Sequence, residues 1–89
     1  MVLIRYFAAA RAAAGTEAEV LDLGPGAVAR REVEACLAAR HRTPPVGQPP
    51  LGQVLARSSF LLDGVACPDP DTRVPAAATL DVLPPFSGG

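Results

Sequence analysis

Val28-Ala29-Arg30-Arg31-Glu32-Val33-Glu34-Ala35-Cys36-Leu37-Ala38-Ala39-Arg40 is a stretch with a clear helical period. Ala29, Val33, Cys36 and Leu37 follow one another at spacings of four, three and one, which sets them in a single apolar stripe. Arg30, Arg31, Glu32 and Glu34 occupy the rest of the cylinder. Gly24-Pro25-Gly26 punctuates the chain ahead of it, and Gly26-Ala27 stand where a Ser, Thr or Asp would cap the helix. Arg40, His41 and Arg42 crowd the other end, where cations complement the helix dipole. His41 reads there as a solvated end-of-helix residue rather than a catalytic base. One amphipathic helix cannot bury its stripe alone, so the flanking segments must supply a sheet for it to lie across.

Outward from the helix, they do. Val2 to Phe7 reads as a strand, with Val2, Ile4 and Tyr6 on one face and Arg5 on the other. Ala8 to Ala14 is alanine around Arg11, a helix former ending at Gly15 as its C-cap. Glu17 to Leu23 alternates, setting Ala18, Val20 and Leu21 or Leu23 against Glu17, Glu19 and Asp22. On the other side, Thr43 to Gly52 carries four prolines and two glycines and reads as a loop, with one helical turn possible over Gln53 to Arg57. Ser59 to Leu62 meets Asp63-Gly64, a strong hairpin signal, and Val65-Ala66-Cys67 returns antiparallel. Pro68, Pro70 and Pro75 enforce an irregular connection to a last strand, Thr79 to Leu83, with Leu80 and Val82 on one face. The expected architecture is an α+β roll with a mixed sheet, whose first and last strands pair in parallel if both are central.

Eighty-nine residues fit one small domain, here residues 1–83, with 84–89 as an extended tail. A chain of this size buries only about 60–65% of its unfolded surface, which leaves little room for a deep active site. That favours a binding module, a carrier or a subunit. Hydrophobic residues at 49% and charged ones at 19% give a globular balance. A net charge of −1 argues against a nucleic-acid partner. All eight basic residues are arginine, so no lysine is present for Schiff-base chemistry or self-conjugation. No run approaches the roughly 18 apolar residues of a membrane span, and Met1 to Arg5 lacks the basic start of a signal peptide. A cytoplasmic protein is expected. Cys36 and Cys67 match no zinc or disulfide pattern and read as two reduced, partly buried thiols.

The segment Pro84-Pro85-Phe86-Ser87-Gly88-Gly89 bears most directly on function. Two prolines hold it extended, so it should project from the sheet, by roughly 19 Å at 3.1 Å per residue. Paired glycines admit close approach of another backbone in a channel where any Cβ would collide. The only reactive group of a bare terminal glycine is its α-carboxylate, here that of Gly89. Adenylation by ATP turns its oxygen into a leaving group, after which sulfur or an amine can attack. The chain has no G-x-x-x-x-G-K-[ST] loop, so the ATP chemistry must belong to a partner.

Arg5-Tyr6-Phe7-Ala8-Ala9-Ala10-Arg11 and Val82-Leu83-Pro84-Pro85-Phe86-Ser87-Gly88-Gly89 resemble the two ends of the ubiquitin-like sulfur carriers of the MoaD/ThiS family. The nearest likeness is to the small subunit of molybdopterin synthase. Thiamine-pathway carriers also end in Gly-Gly but tend to be shorter and usually lack the Pro-Pro pair. Pro75-Ala76-Ala77-Ala78 stands where the family commonly has a Gly-Asp turn, and Ala27-Val28 where it usually has a Thr. The resemblance implies a β-grasp fold. It implies that Gly89 carries the activated carboxyl and then the sulfur of a thiocarboxylate, and that Gly88 permits entry into a partner's channel. Pro84, Pro85, Phe86 and Ser87 would direct the tail and contact the partner, Phe86 together with the exposed sheet face forming an apolar patch. The implied partners are the large catalytic subunit of molybdopterin synthase, a ubiquitin-activating-like adenylyltransferase that uses ATP, and a sulfur donor. The chain itself would bind no cofactor or metal and would have no catalytic residues. Delivery of sulfur to thiamine, cysteine or tRNA, a ubiquitin-like protein modifier, and an interaction domain with an inert tail remain as other readings.

Overall fold

Strands β1 (Val2–Tyr6) and β7 (Thr79–Leu83) lie side by side and parallel in the computed structural model, which describes residues 1–85. Leu3 is opposite Thr79, and Tyr6 is opposite Val82. Strand β2 (Ala18–Leu21) pairs antiparallel with β1, and β4 (Ser59–Leu62) antiparallel with β7. The hairpin partner β5 (Val65–Ala66) completes the order β2-β1-β7-β4-β5. Asp63 and Gly64 turn that hairpin with φ of 48° and 84°, the two positive values that a two-residue I′ turn requires.

Three helices cover one face of this sheet: α1 (Ala8–Ala14), α2 (Arg30–Arg40) and α3 (Leu51–Leu55). Val2, Ile4 and Tyr6 meet Leu80, Val82, Phe60, Val33, Leu37 and Leu51 in one buried cluster. The whole is the β-grasp roll that the two ends of the sequence imply. Gly15 ends α1 in the left-handed region at φ 75°, as its position after the alanines anticipates.

Several expectations are corrected. The helix starts at Arg30, not Val28: Val28–Ala29 form a short strand β3 that pairs with β6 (Arg73–Val74) in a separate two-stranded ribbon. Two-residue strands carry no period, so neither was legible. The ribbon explains how α2 manages without a side-chain cap. The Arg30 and Arg31 amides donate to the carbonyls of Thr72 and Pro70, each at 2.9 Å, and the Ala29 amide donates to Glu32 Oε2 at 2.9 Å. Arg30 itself leaves the solvent face. It is 9% exposed, with its guanidinium 4.3 Å from the Phe60 ring centroid, paired to Glu34, and donating to the Cys67 carbonyl. The short helix expected near Gln53 begins two residues earlier, at Leu51, whose side chain is fully buried. A Cβ on Gly52 would stand 3.2 Å from that of Ala38, which shows how closely α3 lies on α2.

Strand β2 is inverted relative to its sequence reading. Leu21 faces the core and Val20 is 49% exposed, while Glu19, opposite the buried Ile4, turns inward. Its carboxylate is the hub of a polar cluster. Tyr6 donates its hydroxyl to Glu19 Oε2 at 2.6 Å, His41 Nε2 lies 2.5 Å from the same oxygen, and Arg40 reaches Oε1 at 3.2 Å. His41 is therefore a packed residue, set edge-on to Tyr6 with ring centroids 6.1 Å apart, and not a solvated one. Burial first, then the hydrogen bond and charge of Glu19, hold the Tyr6 phenol above its ordinary value of about 10. The fold thus favours the neutral phenol. The stability this contributes is fully present below about pH 10 and is lost as pH rises towards the raised native value.

Two outcomes are expected. Glu19→Ala removes the acceptor of three groups, and should cost about 1–3 kcal/mol in urea denaturation. In a domain of this size each kcal/mol lowers Tm by about 4–8 °C. Tyr6 is the only tyrosine and the chain has no tryptophan, so the phenolate absorbance band reports on this one side chain. In alkaline titration that band should stay absent through about pH 10 and rise only as the circular dichroism of the fold is lost.

Candidate functional site

Because β7 runs through the centre of the sheet, the segment that follows it leaves from the middle of one end of the domain rather than from an edge. Pro84 is buried and Pro85 exposed, so the first proline is packed into the domain and the second begins the departure from it. Phe86, Ser87, Gly88 and Gly89, to which the sequence assigns the chemistry, lie outside the described residues. On the helical side of this exit, α1, α3 and the proline-rich loop border a groove of about 580 Å³, with Pro84 and Pro85 as part of its wall. The loop is anchored beside it: Pro45 stands 3.3 Å from where a Cβ on Gly15 would project.

The outer face of the sheet is the other surface near the tail. Leu3 and Val20 face each other across β1 and β2 and are 36% and 49% exposed. Leu61 and Leu83 are half-buried, and Phe7 at the end of β1 is 37% exposed. In the middle stands one ion pair. Arg5 is opposite Asp81 in the parallel ladder and binds it with both arms, Nε to Oδ1 at 2.5 Å and a terminal nitrogen to Oδ2 at 2.7 Å. The guanidinium also lies 5.9 Å from the Phe7 ring centroid. The hydrogen bonds it donates to Asp81, and the charge of that carboxylate, hold Arg5 above its ordinary value. Sequence reasoning assigned Arg5 to this face but did not find Asp81, because its partner is 76 residues away.

Cys36 is half-buried and Cys67 buried, both as free thiols. Among the described residues no cluster of three or more metal-ligating side chains occurs, and no helix is long and apolar enough to cross a membrane.

The ion pair is asymmetric, with the Arg5 side chain 50% exposed and that of Asp81 only 7%. Arg5→Ala should therefore destabilise the domain more than Asp81→Ala, since it strands a covered carboxylate, whereas an arginine left alone can rehydrate. Denaturant midpoints of both single variants and the double variant measure this; equal losses would contradict it.

No protein-family model matches the sequence, and no curated protein does. Two solved structures share its fold over nearly its whole length. One, from Pyrococcus furiosus, is described as a molybdopterin converting factor, subunit 1. It is 20% identical, with a TM-score of 0.76, covering 96% of this chain and 97% of its own. The other is SAMP1 from Haloferax volcanii, also 20% identical, with a TM-score of 0.74 over 99% of this chain and 98% of its own. The fold of this chain is the one these two structures have, the ubiquitin-like β-grasp.

Proposed function

We propose that the chain is a ubiquitin-like sulfur carrier, a non-catalytic small protein whose Gly89 carboxyl is activated by a partner. The observation that carries this reading is a conjunction. A Pro-Pro-Phe-Ser-Gly-Gly segment follows directly from the central strand of a β-grasp sheet. A domain built this way presents a stiff root and a narrow tip, which suits delivery of one carboxyl group into another protein's channel.

The chemistry needs two steps. The Gly89 carboxylate attacks the α-phosphate of ATP and pyrophosphate leaves, giving an acyl-adenylate. A sulfide equivalent from the sulfur donor then attacks the acyl carbon and AMP leaves, giving the thiocarboxylate. Both steps take place on the adenylyltransferase. The chain's own residues supply the carboxyl, its reach and the surface that holds it in register. The molybdopterin pathway is favoured by the Pro-Pro pair and agrees with the description of one structural neighbour. A tail stiffened by two prolines loses less ordering entropy on entering a preformed pocket, such as that of a stable large subunit. There the sulfur would pass to a cyclic pterin precursor, and water would hydrolyse the acyl–sulfur bond to leave a plain carboxylate to be recharged.

Incubation with the adenylyltransferase, ATP and a sulfur donor should change the intact mass by one oxygen-to-sulfur exchange. Deleting Gly89, or adding one residue after it, should abolish that change with the fold intact. Sulfur carried by a chain whose C-terminus is blocked would overturn the reading. Dithiolene formation from the thiocarboxylated chain, the large subunit and the precursor tests the pathway. Transfer instead to a thiazole synthase, a cysteine synthase or a tRNA-thiolating enzyme would reassign it, and amide formation with protein lysines would make the chain a modifier.

A further inference from the structure

The groove at the root of the tail is, we propose, a second docking surface, which takes an apolar side chain with a neighbouring carboxylate from the adenylyltransferase that charges Gly89. This rests on the carrier reading above. Val54 and Pro49 give the groove an apolar lining, and Pro84 and Pro85 are part of its wall. Its volume of about 580 Å³ lies in the range of sites that enclose a ligand group. Among the described residues Arg57 is the one charged residue that lines it, and no acidic residue does. Among the described residues Arg57 has no ion-pair partner, in contrast to Arg5, Arg11, Arg30, Arg31 and Arg40. An apolar cleft with one uncompensated guanidinium at hand is complementary to a hydrophobic residue next to an Asp or Glu, which the planar fork of an arginine binds well.

Position selects the occupant. An enzyme that grips the tail must pass over Pro84 and Pro85, and these belong to the groove, so contact with the tail and contact with the groove are continuous. A second copy is a poorer match. The acidic loop it could offer is already engaged, Asp71 with Arg31 at 2.7 Å and Asp69 with the Asp71 amide at 2.8 Å.

The groove reaches the tail at Pro84 and Pro85, four or more residues before Gly89 in the chain, and it should act on binding and not on the chemical step. Adenylation is followed as ATP–pyrophosphate exchange against carrier concentration. Arg57→Glu should raise KM at least tenfold with kcat unchanged, and Arg57→Lys should raise it less. Ala56→Trp, which fills the groove from an exposed position, should raise KM without reversing any charge. Circular dichroism melts of each variant confirm the fold. Exchange with KM unchanged in both Arg57→Glu and Ala56→Trp overturns the docking surface and leaves the carrier reading intact. No exchange with the wild-type chain overturns both. Amide resonances of residues 53–57 in the free protein identify the other occupants. If they move on removing residues 86–89, the chain's own tail fills the groove; if they move on dilution, a second copy does. Either result overturns the proposal.

Discussion

The parallel ladder between β1 and β7 is the constraint on which the other elements depend. Two parallel neighbours cannot be joined by a tight turn, and here everything between Phe7 and Ala78 serves as the crossover. The ladder sets Leu3 against Thr79 and Tyr6 against Val82, so the inward residues of both strands fall in step and form the floor on which α2 packs. It also places Arg5 opposite Asp81 on the outer face, closing an ion pair between the two ends of the chain. The tail leaves from the centre of the sheet for the same reason. A strand held on both sides gives a fixed origin to whatever follows it.

Polar groups inside the domain are arranged around that floor rather than spread through it. Glu19 collects Tyr6, His41 and Arg40 where β2 meets the end of α2, and Arg30 lies across Phe60 near the start of the same helix. Each buried side-chain polar atom among the described residues has a partner. In a small core this matters, because one unsatisfied group is a large fraction of the total stability. The proline-rich loop has a structural role as well. It packs Pro45 against the glycine that ends α1 and leads into α3, completing the helical layer beside the tail.

The two surfaces near the tail differ in character. The outer sheet face is apolar around a neutralised ion pair, whereas the groove on the helical side is apolar with an arginine that no acidic neighbour among the described residues balances. A partner that closed over both would hold the tail from two directions, which fixes its register better than either face alone.

Local pattern was enough for the elements that have a period or a punctuation mark of their own. The places of Val33 and Leu37 on the buried face of α2, the Gly15 cap, the Asp63-Gly64 turn and the inward faces of β1 and β7 are all legible, because each depends on neighbours within a few residues. The reading of the terminal Pro-Pro-Phe-Ser-Gly-Gly rests on those residues alone, and the chemistry proposed for it is argued from the sequence. Long-range contacts decided the remainder. Glu19 turns inward because Tyr6 of β1, Arg40 of α2 and His41 just after it wait there, against an alternation that grouped Val20 with the inward residues. Arg30 is buried because Phe60, Glu34 and a loop carbonyl surround it, and β3 exists only because β6 lies beside it. The groove assembles Ala9, Pro49, Arg57 and Pro85 from four separate segments. Spacing along a chain reports periodicity within an element; the side on which a polar residue finds its partner is settled only when distant elements meet.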